Sequence, residues 1–220
     1  MDDRSISDAE ARAILDRAER ALRAVDDAVA FNDRAARLRD VAATFERALA
    51  RAQGPDLRQS IGGRLGSLLA GENSVRDLDR AIELLRDATQ TPATDSATIR
   101  YFLGECFAMR VQYDDAERAW RTGLTLEPGH PAILAVLATL DVDRARAAGD
   151  AAGVVAAVQR VPEARRNGEL WLRLGDASYS LGRLGEAARA WSHAIAREPI
   201  KGMRRRFRSL IGRSSPPPLH

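Results

Sequence analysis

Three histidines, one cysteine, two adjacent aspartate pairs and a glycine cluster are the residues here whose types could support catalysis or metal binding. His130 falls in a turn, His193 in a helical stretch and His220 at the C-terminus, a scatter that offers no ligand set. No H-E-x-x-H, phosphate loop, nucleophile elbow or dinucleotide fingerprint occurs. Gly62-Gly63 with Gly66 resembles a phosphate loop only superficially, because no lysine accompanies it and no strand precedes it; close helix packing accounts for these glycines. Cys106 sits beside Phe107 in an apolar helical stretch and reads as a small buried hydrophobe rather than a nucleophile. As a lone cysteine it permits no intrachain disulfide and no multi-cysteine metal site. Asp114-Asp115 reads as a helix cap and Asp26-Asp27 as a solvated face. The residues therefore predict no catalytic centre, no cofactor and no metal.

Charge is the remaining chemistry. The net charge of +3 conceals an asymmetry, for Lys201, Arg204, Arg205, Arg206, Arg208 and Arg213 stand in the last twenty residues with no carboxylate among them. Without them the chain holds 28 basic against 31 acidic residues, so its body is slightly acidic. A body of that sign does not predict nucleic acid along the whole surface. Met203, Phe207, Leu210 and Ile211 fall at i, i+4, i+7 and i+8 and give this basic segment one apolar stripe. Such a helix over 201–213 could cap the body or meet an anionic membrane or a nucleic-acid backbone. Ser214-Ser215-Pro216-Pro217-Pro218 cannot be helical.

The elements that position these residues are helices. Alanine, leucine, arginine and glutamate dominate, and aromatics are only 5%. Ser7-Asp8-Ala9-Glu10 fits a capping box, and Ala11, Ile14, Leu15, Ala18, Leu22 and Val25 follow at helical spacing. Asn32-Asp33 allows a break, and Leu38, Val41, Phe45, Ala48 and Leu49 line a second helix. Gly54-Pro55 ends it, and a glycine-containing third helix runs to about Gly71. Asn73 or Ser74 would cap a fourth carried by Leu78, Ala81, Ile82, Leu85 and Ala88. Further helical patterns cover 95–110, 114–126, 131–148, 150–160, 168–181 and 184–197, with Asp114 to Glu117 again like a capping box. No strand pattern appears. The acidic start MDDRSISDAE is unlike a signal peptide, and no apolar run is long enough to span a bilayer, so a soluble, cytoplasmic protein is expected.

Internal repetition specifies the fold further. Trp171, Leu174, Gly175, Gly182, Ala187, Trp191, Ala194 and Pro199 resemble one tetratricopeptide repeat, a unit of about 34 residues reading W-x2-L-G-x2-Y, then A-x3-F, then P. Ser178 departs from it where an aromatic is usual. Leu103, Gly104, Phe107, Ala116, Trp120 and Pro128 form a second copy with the same internal spacing, with Arg100 in place of the leading tryptophan. Gly104 and Gly175 lie 71 residues apart, two periods plus three. A degenerate copy should fill the interval, with Leu137-Ala138 replacing Leu-Gly, Gly149 at the turn, and Val154 and Val158 in the second helix. Leu65-Gly66 with Ala81 and Leu85 reads as a weaker copy, and Val41, Phe45 and Ala48 as the second helix of a first one.

The resemblance implies an all-α, right-handed solenoid of antiparallel hairpins, about five repeats with a C-terminal capping helix. Residues 1–6 would be a disordered leader, 7–199 the repeat domain and 200–220 the basic helix and proline-rich tail. Clear repeats would cover 95–128 and 168–199, a degenerate one 131–162 and weak ones 7–92. In this family the first helices of successive hairpins line a concave groove. Its groove positions map onto Tyr101, Glu105 and Met109; onto Ala135, Thr139 and Val142; and onto Glu169, Leu172, Asp176 and Tyr179. A face of aromatics among carboxylates suits a peptide or helix of another protein with apolar anchors and basic flanks. The family's clamp for chaperone tails needs lysine and asparagine at set positions, where this chain has Phe102, Glu105, Arg173 and Asp176. The implied function is a protein-interaction adaptor or scaffold. The alternative is a nucleic-acid or anionic-membrane binder acting through 201–213.

Overall fold

The computed structural model describes residues 3–25 and 31–197, and every regular element among them is helical. The chain groups into two compact units, Met1–Pro128 and Gly129–His220. The first holds α1 (Asp3–Val25), α2 (Phe31–Arg51), α3 (Pro55–Gly71), α4 (Leu78–Ala88), α5 (Ala97–Met109) and α6 (Tyr113–Leu126). The second holds α7 (Pro131–Ala147), α8 (Ala151–Gln159), α9 (Gly168–Ser180) and α10 (Leu184–Arg197). Consecutive helices pack as pairs, α1 on α2, α3 on α4 and α5 on α6, then α7 on α8 and α9 on α10. Within each unit the pairs also stack, through α2 on α3, α4 on α5 and α3 on α5, and through α8 on α9. These are the five hairpins expected from the period. The basic segment, its apolar stripe and the proposed cap lie outside the described residues, as does Pro199.

The glycine of each Leu-Gly pair explains how closely the helices of a hairpin approach. A Cβ built on Gly104 would lie 2.2 Å from Trp120 Nε1, and one on Gly175 2.2 Å from Trp191 Cδ1. Gly66 repeats the contact in the weaker copy, where a Cβ would stand 2.8 Å from Leu85 Cγ. In the degenerate copy Ala138 takes the glycine's place and shares one buried cluster with Val142, Val154 and Val158. Smaller aliphatic groups replace the indole there, so a methyl fits where elsewhere only hydrogen does.

Helix starts are fixed by local polar groups, not always those expected. Ser96, Asp150 and Asn167 cap α5, α8 and α9 through Ile99 N, Gly153 N and Leu170 N. The cap of α4 is Asp77, accepting from Arg80 N at 3.1 Å, because Asn73–Val75 form a short 3-10 turn. Ser7 is not an N-cap, for α1 already begins at Asp3. Its hydroxyl donates to Arg51 O, and Asp8 Oδ1 accepts from Gln53 N at 2.7 Å and Gly54 N at 3.1 Å. The orphaned amides of the α2–α3 corner claim the carboxylate that a capping box would have used. Those two amides hold the Asp8 carboxyl below the usual carboxylate range. α6 starts at Tyr113, which leaves Asp114 and Asp115 inside its first turn, favourably placed for the helix dipole. Asn32-Asp33 lies within the start of α2 rather than between helices.

Candidate functional site

In the first unit a cavity of about 960 Å³ opens along α1, α3 and α5, the first helices of the three hairpins. Small residues of α3 shape it. A Cβ on Gly63 would fall 2.5 Å from Ile99 Cδ1 and one on Gly71 3.0 Å from Phe102 Cε1, so these glycines let α5 lie close against α3. That accounts for the glycine cluster without a phosphate. The α5 wall carries Thr98, Ile99, Tyr101, Phe102, Glu105 and Met109, of which Thr98 is exposed. Tyr101 and Phe102 meet edge to face with ring centroids 5.1 Å apart, and Met109 is 40% exposed.

Three of the expected groove residues, Tyr101, Glu105 and Met109, thus line one cavity. Their spacing at i, i+4 and i+8 places them on one helix face, as a family positional rule requires. Sequence reasoning missed the opposite wall, where Glu19 and Arg23 of α1 and Arg64 of α3 line the same space with Glu72 and Arg76. Charge there is mostly settled internally. Glu19 pairs with Arg64 at 2.9 Å, and Glu72 accepts both arms of Arg34 at 2.8 Å. Glu105 is different, for it makes no hydrogen bond or ion pair among the described residues. Burial pushes its carboxyl above the usual range, and burial, then the nearby Glu105 charge, push the Tyr101 phenol up.

The second unit presents its expected residues differently. Val142 is buried in the core at 1% exposure, so that expectation is corrected: the apolar period of α7 turns it against Val154 and Val158. Leu172 and Tyr179 are likewise buried, and the Tyr179 ring lies 5.6 Å from that of Trp191. Thr139 is exposed, its hydroxyl donating to Ala135 O one turn back. Glu169 is exposed and paired with Arg173, while Asp176 Oδ1 accepts the Trp191 Nε1–H at 3.0 Å. Lys201, Arg204, Arg205, Arg206, Arg208 and Arg213 lie outside the described residues.

Of the residues first weighed for catalysis, Asp26, Asp27 and His220 lie outside the described residues, and His130, His193 and Cys106 hold structural posts. His130 caps α7 through Ile133 N, and His193 stacks on Trp171 at 4.3 Å between centroids. Cys106 is fully buried, and burial, then the neighbouring Glu105 charge, push its thiol up to about 11, far from a reactive thiolate. Among the described residues no helix is long and apolar enough to cross a membrane.

No protein-family model and no curated protein matches this sequence. Among solved structures the chain is similar to MamA, with a TM-score of 0.52 at 17% identity over 74% of this chain and 89% of that one. BtubC (BKLC) from P. vanneervenii aligns over 99% of this chain and 96% of its own at 18% identity, with a TM-score of 0.48. With five helix pairs among the described residues and a glycine-on-indole contact in two of them, the chain has a tetratricopeptide-like helical-repeat fold.

Proposed function

We propose that the protein is an interaction scaffold, holding a segment of a partner protein in the cavity of its first unit. One observation carries this reading. The α5 wall exposes Met109 and half-exposes Tyr101 and Phe102 beside an unmatched carboxylate, around a space of about 960 Å³. Clustered apolar groups rimmed by polar ones mark surfaces that another molecule covers. A peptide or helix with apolar anchors and basic flanks has the complementary chemistry. The fold likeness to MamA agrees with a scaffold in general. Among the described residues His130 caps a helix, His193 stacks on Trp171 and the Cys106 thiol is buried, so none of them is offered to a substrate in the cavity. The alternative of nucleic-acid or anionic-membrane binding rests on residues 201–213, outside the described residues, and no structural observation favours it.

Site-specific photocrosslinking tests the reading. A photoreactive residue at Thr98 or Met109, both on the cavity wall, should give a discrete adduct with one partner protein in cells of the native host. The same residue at Arg118, exposed on α6, should not. Thr98→Trp, which adds a bulky ring at an exposed position of the cavity lining, should abolish the adduct formed from Met109. Equal adducts at the three positions, or none at any, would contradict the assignment.

A further inference from the structure

We propose that Glu105 reads a cationic side chain of the partner, a lysine or arginine standing beside an apolar residue that packs on Tyr101 and Met109. This rests on the cavity being the partner-binding groove and names what that groove selects.

The two clear repeats supply the argument when laid in register. Glu105 follows Gly104 as Asp176 follows Gly175, and Trp120 and Trp191 both stand sixteen residues after their glycine. In α9 and α10 the indole N–H is donated to the carboxylate of Asp176 at 3.0 Å. In α5 and α6 the indole N–H goes instead to the backbone carbonyl of Tyr101, at 3.1 Å. The carboxylate is thereby released from the internal contact its counterpart makes. Side-chain length favours this, since glutamate carries its carboxylate one methylene farther from the backbone that the indole reaches.

A released carboxylate at the surface would simply be hydrated. Glu105 is instead half-buried among the side chains of the cavity wall, and burial acts on it with no opposing charge. The other two acidic residues that line the cavity, Glu19 and Glu72, are each matched by arginine. The chain is rich in arginine, yet Arg76, which lines the same cavity, makes no ion pair with Glu105. A partly desolvated, unmatched carboxylate is costly to hold and gains most from a cation delivered by a ligand. The neighbours suit the rest of such a side chain. The Tyr101 ring offers a cation–π face, while Met109 can cover an alkyl stem or an adjacent apolar residue. A cation beside an apolar group thus meets complementary chemistry over two turns of α5. An acidic segment would meet repulsion at Glu105.

Selection from a random peptide library displayed on phage tests this without the partner having to be identified. Wild type, Glu105→Gln and Glu105→Arg proteins are used as full chains, each first shown by thermal unfolding to be folded. Wild type should enrich lysine or arginine at one fixed place beside an apolar residue. Glu105→Gln should keep the apolar residue and lose the cation, binding wild-type-selected peptides about tenfold more weakly. Glu105→Arg should select aspartate or glutamate at that place. Peptides whose binding is lost on Thr98→Trp, but which show the same residue preferences with all three proteins, would overturn the role of Glu105 and leave the groove reading standing. If no selected peptide depends on Thr98, the groove reading fails as well, and this inference with it.

Discussion

The hairpins α5–α6 and α9–α10 are built on the same contact and present different faces. Each seats a tryptophan on a glycine where no Cβ fits. Around that shared post Leu103 matches Leu174 and Ala116 matches Ala187, but several other positions differ. Phe107 in one is Ser178 in the other, Val111 is Gly182, and Glu105 is Asp176. In α9 the carboxylate is tied to the indole, and Leu172 and Tyr179 are buried. In α5 the carboxylate faces a cavity beside half-exposed Tyr101. The comparison teaches that the glycine and indole build the same hairpin contact twice, while the acceptor of the indole N–H and the exposure of the inner face differ between the copies.

The largest expected effect tests the shared part. Gly104→Leu and Gly175→Leu should each destabilise by about 3 kcal/mol, since the side chain would enter a space the indole fills. Gly185→Ala, where a Cβ meets nothing within 4 Å, should not destabilise at all. Thermal unfolding at an unchanged midpoint for either leucine variant would break the assigned register.

Next comes the turn that joins the two helices in the hairpins α5–α6, α7–α8 and α9–α10. Val111 has φ of 63° in the left-handed region, where Gly182 has 74° and Gly149 has 69°. A β-branched residue is strained there and glycine is not. Val111→Gly should therefore stabilise by about 1 kcal/mol, and Gly182→Val should destabilise by about 1–2 kcal/mol. Nothing crowds a Cβ at Gly182, so the loss would be one of backbone alone. Denaturant midpoints of the two variants moving the same way would refute the equivalence of the turns.

The smallest effect concerns Glu105 itself. Its carboxyl holds a proton more tightly in the folded chain than in the unfolded one, so the ionised form is the less stable partner of the fold. Stability contributed at this position is full below the unfolded pKa and falls as pH rises through the folded one. Glu105→Gln should raise the unfolding midpoint slightly near neutral pH, and the gain should fade below about pH 4. A gain that grows on acidification would contradict an unmatched carboxylate.

Much of the fold was legible because its main signals are local. Gly104 with Trp120 and Gly175 with Trp191 announce a close helix contact by spacing alone, and the boundaries of α3 and α10 follow from Gly54-Pro55 and from apolar period. The starts of α1, α4 and α6 were misread because capping depends on which amides lack partners, and Asp8 is claimed by a corner more than forty residues away. Tyr101, Glu105 and Met109 of the α5 wall could be anticipated, since one helix face is a matter of period. The α1 and α3 walls could not, because Glu19, Arg64 and Gly71 reach it only through packing of separate hairpins. Val142 and Leu172 were placed outward by family position, whereas their apolar surroundings bury them. The contrast between Glu105 and Asp176 was missed, because both read as a carboxylate after glycine and the acceptor of the indole N–H emerges only from the packed hairpin.

The most direct test of the central claim is a charge-swap cycle between Glu105 and the cation of a peptide selected on the wild-type protein, read by isothermal titration calorimetry. Glu105→Arg alone, and the peptide with its cation changed to glutamate alone, should each weaken binding about tenfold or more. The two changes together should restore most of the lost affinity, because the pair is re-formed with its signs exchanged. Losses that simply multiply in the doubly changed pair would contradict a cation held at Glu105.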